Sequence, residues 1–249
     1  MILLLKLFLA HILGDFVFQP GTWITDKETR KIKSRCLYQH GIIHFVLIIF
    51  IVQDVHFWKY ALLLSLIHLA IDILKVYKQP AALPNVPDKD RQKWFFYDQI
   101  LHLVTLFLVW HFYENPTMVF TFWDNVPFLI CFTGFVFITE PASVLIKFII
   151  SPWNTASTSS SSNTRNSLAN AGKTIGFIER ILTLIMMLNE QWEAIGFLVA
   201  AKSVLRIGEV RNNRDKNLTE YILVGTLLSF GIAILTGVIL KQLLSLNTH

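Results

Sequence analysis

Long apolar runs, interrupted by short polar or basic segments, set the pattern of this chain. Spanning lipid takes roughly 20 mostly apolar residues. Runs of about that length recur near 2–19, 37–55, 57–77, 95–113, 117–139, 174–189, 191–207 and 219–241. The pattern predicts an all-α, polytopic transmembrane helix bundle with about seven or eight membrane segments. The sixth and seventh runs are short, so 174–207 either crosses twice or forms a re-entrant hairpin. Pro141 and Pro152 bracket a short apolar piece, 142–151, that reads as an interfacial helix. Residues 154–171 are rich in Ser, Thr and Asn, the composition of a flexible linker. The expected organisation is an N-terminal bundle over 1–153, a linker over 154–173 and a C-terminal membrane block over 174–249.

Within the first four runs the polar exceptions follow a rule. Each run carries two ionisable residues four apart: His11/Asp15, His40/His44, His68/Asp72 and Asp98/His102. A four-residue step puts both members on one helix face, about one turn apart. An ionisable residue inside a span is costly unless it faces protein or water, which makes it a functional-site hypothesis by default.

Composition supports the membrane reading. The chain has 249 residues, 53% of them hydrophobic, and its mean hydropathy is +0.51. The first run lacks the basic start and small-residue cleavage site of a signal peptide. It also carries His11, Gly14 and Asp15, so it is expected to be retained. Cys36 and Cys131 have neither metal-type spacing nor a disulfide framework. The net charge of +5 reports basic loops and gives no sign of nucleic-acid binding.

Loop charge orients the spans. Lys27, Arg30, Lys31, Lys33 and Arg35 fall between the first two runs, and Lys75, Lys78, Lys89, Arg91 and Lys93 between the third and fourth. Positive loops stay in the cytoplasm, which puts the N-terminus outside. The basic segment Arg206–Lys216 joins them inside only if 174–207 returns to the side it entered from. All four pairs then sit at similar depth in the cytoplasmic half, where they could form one site.

Histidine and carboxylate ligands suit Zn, Mn or Fe. The pairs offer five histidines and three aspartates, more than the three protein ligands of one catalytic metal. Two metals, or one metal with orienting neighbours, both fit that surplus. A metal would generate a hydroxide nucleophile and, in a two-metal site, clamp a phosphoryl group. The candidate metal ligands are His11, Asp15, His40, His44, His68, Asp72, Asp98 and His102, with Asp15, Asp72 and Asp98 also the candidate catalytic groups. The same pairs read alternatively as hydrogen-bonded ties between helices.

Gln19, Lys75 and Gln99 are candidate substrate contacts. Gln19 and Gln99 read equally as helix-end caps, and Lys75 as a lysine snorkelling from a span end. Gly14 would allow close helix approach. His56, His111 and His249 lack paired partners and receive no role, and the tryptophans fit interfacial anchoring. In the C-terminal block, Glu179 is expected to pair with Lys202 or Arg206 across helices, and Gly225, Thr226 and Ser229 give the last run a small-residue packing face.

The set His11-x-x-Gly14-Asp15-x-x-x-Gln19, His40-x-x-x-His44, His68-x-x-x-Asp72-x-x-Lys75 and Asp98-Gln99-x-x-His102 resembles a bacterial membrane-protein family, the domain of unknown function 3307, over roughly residues 1–115. Gly176-x-x-Glu179-Arg180, Ala201-Lys202-Ser203-x-x-Arg206 and Glu220-Tyr221-x-x-Gly225-Thr226 resemble the C-terminal extension some members carry. The resemblance implies a bacterial inner (cytoplasmic) membrane protein and supplies no reaction. More loosely, the chain is similar to membrane-bound metal-dependent hydrolases, although their opening His-rich motif has no match here. No Gly-x-Ser-x-Gly, His-Glu-x-x-His or phosphate-loop pattern favours another enzyme class.

The expected function is a membrane protein with a cytoplasm-facing His/Asp metal site, hydrolysing a phosphoester or a lipid-linked substrate drawn in by the basic loops. A proton-coupled transporter is the alternative, since Asp and His chains within spans also build proton relays. A structural membrane protein whose polar pairs fix helix packing is the third reading. The expected partners are the lipid bilayer and an anionic or lipid-linked substrate.

Overall fold

The computed structural model describes residues 2–79, 89–113, 125–150, 162–212 and 216–246, without side-chain detail at 89, 162–171 and 205–222. All regular structure among the described residues is helical. The helices are α1 (Ile2–Ile12), α2 (Gly21–Arg30), α3 (Arg35–Val52), α4 (Trp58–Lys78), α5 (Lys89–Phe112), α6 (Val126–Ile138), α7 (Glu140–Ile150), α8 (Ser162–Leu188), α9 (Trp192–Asn212) and α10 (Lys216–Ser245). A π-helical turn, Leu13–Val17, extends α1. The chain divides into two compact units, the first holding 1–84 and 88–133 and the second 85–87 and 134–249, so the division falls inside α6.

In the first unit α1 packs on α3 and α5, α3 on α4, and α4 on α5, which closes a ring of four helices. Their outward faces are apolar, with Ile42, Val46 and Phe50 on α3, Leu62 and Leu66 on α4, and Leu103, Val104 and Phe107 on α5 all exposed. Their inward faces bury His40, His44, His68, Asp72, Asp98 and His102. Apolar outside and ionisable inside is the arrangement lipid requires.

The apolar run expected over 2–19 does not continue as one straight helix. Phe18 donates its N–H to the Leu13 carbonyl at 2.8 Å, five residues back, and the chain then turns by 81° into α2. Pro20 starts α2 in extended conformation, where its missing N–H costs nothing. The polar α2 is held against the ends of α4 and α5 by Glu28 to Arg91 at 2.6 Å, Glu28 to Gln79 at 3.2 Å and Lys31 to the Val76 carbonyl at 2.5 Å. Ser34, which precedes α3, donates to Asp26 at 2.5 Å.

In the second unit α10 packs on α7 and α8, α7 on α8, and α8 on α9. The break between α6 and α7 is a single residue, Thr139, placed before Pro141, which cannot donate to the previous turn. The piece expected as a separate interfacial helix therefore follows α6 directly, and Val126–Ile150 together form one membrane-length stretch. α8 begins at Ser162, inside the Ser/Thr/Asn-rich segment, while 154–161 lies outside the described residues.

By length and composition five helices among the described residues can cross a membrane, or six if the bent α1–α2 pair counts as one. These suit a multi-pass membrane protein. The count stays below the expected seven or eight because α8 opens on a polar stretch and α9 carries Glu193, Lys202, Arg206, Glu209 and Arg211.

Candidate metal centre

The π turn decides how the first pair is presented. It begins two residues after His11 and carries Gly14 and Asp15, widening the turn so that Asp15 points into the ring of helices alongside His11. Single π turns inside helices recur at functional sites. Gly14 leaves room for the His44 ring, because a Cβ would lie 2.4 Å from Nε2 and 2.5 Å from Cε1 of His44. The second pair comes from α3, the third from α4 and the fourth from α5, and the helical period turns each pair inward.

Asp15 is the hub. Its Oδ1 lies 3.0 Å from His44 Nε2, 3.2 Å from His40 Nε2 and 3.4 Å from His68 Nε2. His40 and His68 bring their Nε2 atoms to 3.0 Å of each other. His11 Nε2 is 3.8 Å from Asp15 Oδ2, and His40 Nε2 is 3.7 Å from Asp72 Oδ2. The five imidazoles form one continuous cluster, with His44 and His68 stacked at 3.7 Å between centroids, His68 and His102 at 4.0 Å, and His11 and His102 at 5.2 Å.

Hydrogen bonding alone does not account for this convergence. A carboxylate oxygen has two lone pairs, yet three imidazole nitrogens crowd one oxygen of Asp15. Ligands bound at about 2.0–2.1 Å around a tetrahedral ion stand roughly 3.3 Å apart. The Asp15–His40–His68 triangle has edges of 3.2, 3.0 and 3.4 Å, with His44 at 3.0 Å from its Asp15 corner. Three groups could each hold a metal ion, their donor atoms all within 4.8 Å: His11/Asp15/His44/His68, His40/His68/Asp72 and Asp15/Asp98/His102.

Two lysines and a glutamine set the charge and position of the carboxylates. Lys27 Nζ donates to Asp72 Oδ2 at 2.7 Å, and Lys75 Nζ to Asp98 Oδ2 at 2.7 Å. Gln99 Nε2 donates to Asp15 Oδ2 at 3.1 Å and to Asp98 Oδ2 at 3.2 Å, while its Oε1 lies 3.4 Å from His11 Nε2. With its amide turned to satisfy both ends, Gln19 Oε1 accepts from Lys27 Nζ at 2.5 Å and Nε2 donates to the Asp15 carbonyl at 3.3 Å. At the cluster itself, three aspartates (Asp15, Asp72 and Asp98) against Lys27 and Lys75 leave one negative charge. Balancing it takes a protonated imidazole or a cation.

Lys27 carried no role in the sequence reading, where it was one of five loop cations. Nothing local distinguishes it from Arg30 or Lys33. The available signal is electrostatic: three carboxylates lie within spans, and a loop cation folding in is one way to offset their charge. Lys75 itself is paired with Asp98, its side chain 26% exposed.

The unpaired histidines stay apart from the cluster. His56 donates its backbone N–H to Asp54 at 2.9 Å, His111 is exposed at the end of α5, and His249 lies outside the described residues. Among the described residues, four buried side-chain atoms have no hydrogen-bond partner: His40 Nδ1, Asp98 Oδ1, and both ring nitrogens of His102. His11, His44, His68 and His102 line a cavity of about 10 Å³, walled on its other sides by Leu7, Ile48, Leu64 and Leu106 among others.

The second unit has a polar centre of another kind. Arg180 is buried and donates to the Ile138 carbonyl at 2.5 Å, the Thr139 carbonyl at 3.3 Å, Ser143 Oγ at 2.5 Å and Ser229 Oγ at 3.1 Å. It ties the α6–α7 junction together, although the Thr139 carbonyl also accepts the Ser143 N–H at 3.2 Å. Glu179 pairs with Lys202, while the side chains of Arg206, Glu220 and Tyr221 lie outside the described residues.

A family model described as protein of unknown function (DUF3307) matches residues 3–129, about half of the chain. That stretch contains the π turn, Lys27 and all eight paired residues. No curated protein matches the chain, and no solved structure does. The match over 3–129 establishes that the chain belongs to the DUF3307 family.

Proposed function

We propose that this chain is a multi-pass protein of the bacterial inner membrane whose His/Asp cluster holds Zn, Mn or Fe. Its activity is metal-dependent hydrolysis of a phosphoester or lipid-linked substrate at the cytoplasmic face. The observation that carries the reading is the Asp15–His40–His68 triangle, whose edges of 3.0–3.4 Å suit ligands of one tetrahedral ion. Asp15, His40, His44 and His68 are the nearest candidate ligands. His11 and Asp72 stand behind them, and Lys27 and Gln19 hold Asp72 and the backbone of Asp15.

A bound divalent metal supplies a Lewis acid and lowers the pKa of a coordinated water towards ~7. In the net reaction the water oxygen forms a new bond to phosphorus, the bond to the leaving oxygen breaks, and a water proton ends on that oxygen. The basic loops and Lys75 draw the anionic substrate. In this topology the α8–α9 hairpin dips into the membrane and returns, which keeps the basic segment 206–216 on the cytoplasmic side.

The test is phosphate release by detergent-purified, Mn²⁺- or Zn²⁺-loaded protein from p-nitrophenyl phosphate and from micellar phosphatidic acid. The reading expects release that disappears in His68→Ala. No release from either by metal-loaded wild type contradicts hydrolysis. One observation favours a second reading, a proton relay: His40 and His68 nitrogens at 3.0 Å within a continuous row of imidazoles. That reading expects pH-gradient-driven flux in proteoliposomes without turnover of substrate.

A further inference from the structure

Of the four buried side-chain atoms without a partner among the described residues, three belong to two residues of α5, Asp98 and His102. Both are almost fully buried, 2% and 1% exposed. An acceptor and a ring left dry and unpaired are costly, and native structures rarely keep such groups without a partner of some kind. Asp98 Oδ1 and His102 Nδ1 face each other at 3.7 Å, too far for a hydrogen bond. Two ligands of one ion, each about 2.0–2.2 Å from it, stand roughly 3–4 Å apart.

Asp15 completes this set, its donor within 4.8 Å of those of Asp98 and His102. Its two oxygens face different company: Oδ1 meets the imidazoles of His40, His44 and His68, while Oδ2 meets His11 and Gln99. The Gln99 amide nitrogen stands between Asp15 Oδ2 and Asp98 Oδ2, at 3.1 and 3.2 Å, so the two carboxylates already converge on one positive dipole end. Lys75 occupies Asp98 Oδ2 and leaves Oδ1 free of it.

We propose that the site is dinuclear. One divalent cation lies on the His40/His44/His68 side of Asp15, and a second lies between Asp15, Asp98 and His102. Asp15 is shared by both. This rests on the metal-site reading above and narrows its substrate to phosphoesters. Two cations roughly 3.5–4 Å apart clamp the attacking and leaving oxygens of an in-line displacement at phosphorus. Charge agrees with that class. Two divalent cations and two lysines are balanced by three aspartates, one hydroxide and a phosphate dianion, whereas a neutral ester or amide would leave the buried site positive.

The test loads purified wild type and His102→Gln with Mn²⁺, counts bound ions by elemental analysis, and records the electron paramagnetic resonance spectrum. The proposal expects two Mn²⁺ per chain with an exchange-coupled spectrum in wild type, and one Mn²⁺ with an isolated six-line spectrum in His102→Gln. The coupled wild-type spectrum alone decides the point if the variant fails to fold. One Mn²⁺ and a six-line spectrum in wild type overturn the second site and leave the first standing. Wild type that takes up neither Mn²⁺ nor Zn²⁺ removes both.

Discussion

Lys27, from the polar helix α2, reaches inside the bundle and donates to Asp72 Oδ2 at 2.7 Å, so a loop cation is part of the buried site. Both side chains are less than a tenth exposed. Removing one member of such a pair leaves a buried charge alone, typically costing about 3–5 kcal/mol. Lys27→Met is expected to lower stability by about that amount in detergent. Lys27→Met/Asp72→Asn is expected to recover part of the loss, because each change removes what strands the other. A double-mutant cycle on thermal or denaturant unfolding reads the coupling; additive losses would mean the pair is incidental.

Gly14 is the point of closest approach between the π turn and α3. Gly14→Ala puts a methyl group 2.4 Å from His44 Nε2, and the ring has to move. The expected result is a folded protein whose metal affinity falls by at least about tenfold, the effect of disturbing how a ligand is held. Competition against a chelator measures it. Unchanged affinity would show that His44 is not a ligand.

A cytoplasmic α2 has a consequence at the protein surface. With Cys36 and Cys131 replaced by Ser, a Cys at Thr25, exposed on α2, should react with a membrane-impermeant maleimide in inside-out vesicles and not in intact spheroplasts. Labelling from the outer side would move the whole His/Asp cluster to the opposite face of the membrane.

In the second unit, Arg180→Lys should behave like Arg180→Met. A guanidinium spreads its donors over two carbonyls and two serine hydroxyls, and a single ammonium cannot match that fork. Each variant is expected to lose roughly 3 kcal/mol of stability. Rescue by lysine would mean that charge alone matters at this position.

The convergence of the pairs was legible because the helical period turns both members of each pair to one face. His40, His44, His68 and Asp72 meet inside the ring of helices on those faces. The π turn after His11 was not legible. A four-residue step reads as an ordinary helical turn, and only Gly14 against His44 reveals the closer approach. Lys27 was hidden because folding α2 back under the bundle depends on an 81° turn at Pro20 and on tertiary pairs such as Glu28 with Arg91. Whether α8 and α9 enter the membrane is not legible from the apolar runs alone, because runs of helix length there alternate with charges that pair within the second unit, as Glu179 does with Lys202.

The most direct measurement is the metal content of detergent-purified protein beside His68→Ala and Asp15→Asn, prepared without a metal-binding tag and then equilibrated with Zn²⁺ or Mn²⁺. The account predicts at least one tightly held equivalent in wild type and its loss in both variants, with helicity and monodispersity unchanged. Folded wild type that binds no metal under these conditions, or variants that bind as wild type does, would contradict it.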